Sequence, residues 1–68
     1  MLDQVKLRRL TQASTDGDWI AARDVALELS VESQGTPDEF LVEGLPLAVR
    51  AQDAEWLAVI INELTAPD

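Results

Sequence analysis

The chain has 68 residues, enough for a single small helical domain spanning residues 1–68, and it contains no histidine, cysteine or tyrosine. Disulfide staples, the two best transition-metal ligands and the commonest general bases and nucleophiles are therefore missing, so the composition argues against an enzyme, a cofactor site or a metal centre. The formal net charge is −8, yet 47% of the residues are hydrophobic, which is too apolar for a disordered polyanion.

The charge is unevenly placed. Residues 1–23 set Lys6, Arg8, Arg9 and Arg23 against Asp3, Asp16 and Asp18, whereas residues 24–68 set only Arg50 against ten carboxylates. Most of the surface should therefore repel a phosphate backbone, so no direct nucleic-acid binding is expected. No apolar run reaches the roughly 18–20 residues that span a bilayer, so no membrane segment is expected. The start, Met1-Leu2-Asp3-Gln4-Val5-Lys6, does not read as a secretory signal, and the expected address is the cytoplasm.

Four helices are predicted. The first runs from about Leu2 to Ala13, with Leu2, Val5, Leu10 and Ala13 on one side and Leu7 at the margin. Ser14-Thr15-Asp16-Gly17-Asp18 reads as a break followed by a capping box in which Thr15 is answered by Asp18. The second helix covers roughly Asp16 to Val31, its face formed by Trp19, Ala22, Val25, Ala26 and Leu29 and widened by Ile20 and Leu27. Gly35 is the expected left-handed residue beyond its end.

Thr36-Pro37-Asp38-Glu39 places threonine at an N-cap, proline at the first helical position and glutamate at the third. The third helix follows toward Arg50, with Phe40, Leu41, Val42, Leu45, Leu47, Ala48 and Val49 covering most of its circumference. Pro46 lacks a backbone donor and should kink or split it. Asp53 then caps a fourth helix through Leu64, with Trp56, Leu57, Ile60, Ile61 and Leu64 on its buried side. Connections this short predict an all-α fold of two antiparallel helical hairpins, packed as a bundle or as a repeat stack.

A shift of 37 residues brings Asp16-Gly17-Asp18-Trp19 onto Asp53-Ala54-Glu55-Trp56, and Leu10 onto Leu47. Gly17-Asp18-Trp19-Ile20-Ala21-Ala22, with Ala26 one turn later, resembles the turn and second helix of a tetratricopeptide repeat. That resemblance implies a helical-hairpin repeat of the kind that binds other proteins.

Two surfaces are candidates for contact. Asp24, Glu28 and Glu32 recur every four residues and form an acidic ridge, unless Lys6, Arg8 and Arg9 pack against it and compensate. Phe40, Leu41, Leu45, Trp56, Leu57 and Ile61 form the apolar candidate, an excess of apolar face for so short a chain. The expected function is a small acidic interaction module, an adaptor, co-chaperone or assembly factor that grips a protein partner or a second copy of itself through the apolar face. The rival is an acidic inhibitor or immunity-type protein whose carboxylates block a basic, nucleic-acid-binding surface. Asp16-Gly17-Asp18 lacks the ligand spacing of a calcium loop and is better read as a cap.

Overall fold

The computed structural model describes residues 3–66, and Leu2 and Pro67 lie outside them. Four helices occur among the described residues: α1 (Gln4–Asp16), α2 (Trp19–Glu32), α3 (Glu39–Arg50) and α4 (Ala54–Thr65).

Each of the first, second and fourth helices starts at an aspartate whose carboxylate accepts from orphan backbone donors. Asp3 takes Val5 N–H at 2.9 Å, Asp18 takes Ala21 N–H at 3.2 Å, and Asp53 takes Trp56 N–H at 3.0 Å. The predicted break at Ser14 does not form, because the hydroxyls of Thr11, Ser14 and Thr15 donate to carbonyls within α1 and leave its backbone ladder intact. Thr15 is therefore not a cap, and Asp18 takes that role alone. Gly17, at φ +75, ends α1 in the left-handed region. Its N–H donates to Ser14 and that of Asp18 to Ala13, the paired bonds of a Schellman turn.

Between the hairpins, Gly35 adopts φ +81 as expected. The capping arrangement at Thr36 differs from the expectation. Thr36 donates through its hydroxyl back to the Ser33 carbonyl, and the Glu39 carboxylate accepts from Gly35 N–H instead of Thr36 N–H. Residues 36–38 form turns and α3 begins only at Glu39. The local bonds satisfy the end of α2 in preference to the start of α3. Pro46 lies inside α3 without splitting it.

The core draws on every helix: Leu7, Leu10 and Ala13 of α1, Ala22, Ala26 and Leu29 of α2, Val42, Leu45, Ala48 and Val49 of α3, and Leu57, Ile60 and Ile61 of α4. Several expected core positions face outward instead. Val5, Ile20, Leu27, Phe40, Leu41, Leu47 and Trp56 are exposed, while Leu7, expected at the margin, is buried. In α3 this leaves one buried stripe where an all-round apolar helix was expected.

Neighbour relations close a ring: α1 packs on α2 and α4, and α3 packs on α2 and α4, with α1 against α4 the loosest seam. The four helices thus form a bundle within 28 × 22 × 19 Å. They do not leave an open stack with a free end face.

The ring also has an internal repeat, at 35 residues and not 37. Asp3 and Asp38 both precede a helix, Gly17 and Gln52 both have positive φ, and Asp18 and Asp53 both cap. The Schellman bond from Asp18 to Ala13 recurs from Asp53 to Ala48. Buried positions follow the same shift, Leu7 with Val42, Leu10 with Leu45, Ala13 with Ala48, Ala22 with Leu57 and Ala26 with Ile61. The alanines of α2 thus correspond to large residues of α4, so small and large side chains share the interior. Trp19 and Trp56, which suggest the shift of 37, are not equivalent: Trp19 opens α2, whereas Trp56 is the third residue of α4.

Candidate functional site

The closed ring has four seams, and the 35-residue shift exchanges the α4/α1 seam with the α2/α3 seam. Each of these two holds a groove. The α4/α1 groove, about 330 Å³, is lined by Thr11, Ser14, Thr15, Ala54, Ala58, Ile61, Asn62 and Thr65. The hydroxyls of its threonines and serine donate to carbonyls of their own helices. That groove is small, and its hydroxyl protons are already committed.

Its counterpart is about 720 Å³ and lies between α2 and the second half of α3. Trp19, Ile20, Arg23, Asp24 and Leu27 line it from α2, and Pro46, Leu47, Val49 and Arg50 from α3, with Gln52 beyond. Ile20 is 80% exposed, and Leu27 and Leu47 are also exposed. The positions equivalent to Ile20, Leu27 and Leu47 hold Glu55, Asn62 and Gln12, all exposed. The fold therefore accepts polar side chains at these places, and bundle packing does not account for the apolar ones.

The same comparison isolates two cations. Arg23 and Arg50 stand where the other groove has Ala58 and Thr15. Neither arginine forms an ion pair among the described residues, where the salt bridges belong to Lys6. Within a chain of net charge −8, the groove contains two arginines and one carboxylate, Asp24.

The acidic ridge is partly neutralised from within. Asp24, Glu28 and Glu32 all lie exposed on α2. Lys6 of α1 hydrogen-bonds Glu32, and its Nζ lies 3.9 Å from Glu28. The hydrogen bond to Glu32 raises the Lys6 pKa above the ordinary lysine value, with a smaller opposing effect of desolvation. Arg8 and Arg9 make no ion pair among the described residues, so Lys6 alone supplies the compensation. Asp24 stands apart from the Lys6 bridges and borders the α2/α3 groove.

The apolar candidate separates into two groups. Phe40, 85% exposed, and Leu41 and Trp56 remain at the surface. Gly44, one turn after Phe40, lets α4 approach: a Cβ there would lie 3.0 Å from Ile60 Cδ1 and 4.0 Å from Trp56 Cζ2. Leu45 and Leu57 are fully buried in the core and offer no surface to a partner, and Ile61 is buried but for an edge on the small α4/α1 groove. They fall on the helix sides that face the ring centre, where an apolar side chain gains most by leaving water. Ile20, Leu27, Leu47, Arg23 and Arg50 were missing from the expected contact set. Aligning the caps Asp18 and Asp53 at 35 residues would have exposed them as departures from the repeat.

Among the described residues, no cluster of carboxylates has the makings of a metal site, and no helix is long and apolar enough to cross a membrane. No buried side-chain polar atom there lacks a hydrogen-bond partner. Comparison with known proteins returns no match: no family model, curated protein or solved structure matches the chain.

Proposed function

We propose that the protein is a small interaction module, an adaptor, co-chaperone or assembly factor, that binds a protein partner through an apolar helical face. One observation carries this reading. Large apolar side chains stand exposed at Ile20, Leu27 and Leu47, at positions whose repeat equivalents are polar. The three line one groove, and apolar surface gathered in this way marks a contact site where scattered residues would not. The resemblance of Gly17 to Ala26 to a tetratricopeptide hairpin belongs to the same proposal. It is supported by the complete burial of Ala22 and Ala26 and by a repeat offset close to that family's 34-residue period. It concerns the hairpin and not the closed assembly.

The inhibitor reading places affinity in carboxylates and loses support where Lys6 occupies Glu28 and Glu32. Salt separates the two. Partner capture from host cells is measured as ionic strength rises from about 0.1 M to about 1 M, over which the screening length falls from about 10 Å to about 3 Å. An apolar grip retains its partner across that range, and Ile20→Ser combined with Phe40→Ser releases it while helicity survives. Loss of the partner with salt alone, and indifference to both substitutions, would transfer the function to the acidic side.

A further inference from the structure

We propose that the α2/α3 groove receives an acidic, amphipathic helical segment of a partner protein, with apolar anchors on Ile20, Leu27 and Leu47 and carboxylates met by Arg23 and Arg50. This rests on the interaction reading above and adds the site and the chemistry of the occupant.

Length and spacing fit the apolar anchors to a helix. Ile20 and Leu27 are seven residues apart on α2, about 10 Å along its axis, or two helical turns. A partner helix presents anchors at that same spacing when it lays one face into a groove. Leu47 and Pro46 form the opposite wall from α3. The ionic half is charge complementarity. Arg23 lies between Ile20 and Leu27 in sequence, and Arg50 follows Leu47 by one turn, so a cation accompanies the anchors on both walls. Planar guanidinium groups that form no ion pair among the described residues suit bidentate pairing with carboxylates. Asp24 is the opposing charge on the same rim.

The field of the whole molecule works against this occupant. A net charge of −8 attracts basic peptides over a Debye length. Preference for an acidic peptide therefore has to originate in the groove itself, which makes the test stringent.

The test uses the full chain and two synthetic peptides of about 18 residues, about five helical turns. They share one leucine stripe and differ only in flanking it with glutamate or with lysine. Amide chemical shifts of the labelled protein report where each binds. The glutamate peptide should perturb Ile20, Arg23, Leu47 and Arg50, and bind about tenfold more tightly than its lysine twin, the size of effect that complementary charge produces. Charge reversal by Arg23→Glu with Arg50→Glu should invert that preference and leave the rest of the spectrum in place. Equal affinities, a lysine preference in the native chain, shifts centred on Phe40 and Trp56, or no shift at all would each overturn the proposal. Groove shifts that follow the concentration of the protein alone would overturn it as well, because a second copy would then be the occupant. These outcomes leave the interaction reading to the capture experiment, which does not depend on the peptides.

Discussion

Gly17 and Gln52 perform one task with different residues. Both have positive φ, +75 and +53, at the turn that reverses the chain between the helices of a hairpin. Left-handed backbone costs an ordinary L-residue roughly 1–2 kcal/mol, a penalty that glycine avoids. Gly17→Ala should therefore destabilise the protein by about 1 kcal/mol, while Gln52→Gly should stabilise it by about 0.5–1 kcal/mol. No Cβ clash complicates the first substitution, since nothing lies within 4 Å of that position. Urea denaturation of both variants checks the pair, and shifts of the same sign would mean that the two turns are not equivalent. The Lys6 pair gives a second residue-scale expectation. Because the bond to Glu32 raises the folded-state pKa of Lys6, its contribution is complete below the ordinary value of 10.5 and is lost as pH rises through the folded value. An alkaline denaturation series should show that loss in the native chain and not in Lys6→Met.

At the scale of elements, α3 concentrates what the sequence leaves ambiguous. Seven of its twelve residues are apolar, and Phe40, Leu41 and Leu47 flank the inward stripe, so apolar character alone does not say which of them meet α2 and α4 and which meet water. Ring closure makes that choice: Val42, Leu45, Ala48 and Val49 turn inward, and Phe40, Leu41 and Leu47 do not. The helices themselves were legible because aspartate caps and turn residues mark their ends. The candidate site was less so. A shift of 37 matches the two tryptophans, but neither is held by a fixed structural role. An error of two residues rotates a helix face by about 200°. Within the apolar contact set, Leu45, Leu57 and Ile61 fall on the core because an excess of apolar face in α3 and α4 does not say which side turns inward, and the 37-residue shift hides the departures at Ile20, Leu27 and Leu47. Two predictions belong here. Leu57→Ala should remove about 2–5 kcal/mol, the usual cost of emptying a core site, and in so small a domain that should abolish most of the helical circular dichroism. Pro46→Ala restores a donor inside α3 and should raise the thermal midpoint, on the order of 1–3 kcal/mol of stability. An unchanged midpoint would show that α3 already accommodates the proline without cost.

For the whole molecule, charge and shape act together. At about 0.01 M ionic strength the screening length is about 30 Å, comparable to the 28 Å long axis, so the ten carboxylates beyond residue 23 repel one another across the entire bundle. The bridges from Lys6 to Glu28 and Glu32 are local and share one cation, so the repulsion outweighs them. Thermal stability should therefore rise as salt is raised toward about 0.15 M. The closed ring leaves the flanks for the proposed contact: two hairpins already bury each other, and what distinguishes one seam from its twin is side-chain chemistry. That contrast supplies its own control. Ile20→Glu, Leu27→Asn and Leu47→Gln give the α2/α3 groove the residues that the fold already carries at the equivalent positions. Calorimetric titration of the captured partner with this triple variant shows whether those three side chains form the contact. The triple variant should keep its circular dichroism spectrum and lose binding; native affinity in the folded variant would place the contact away from the α2/α3 groove.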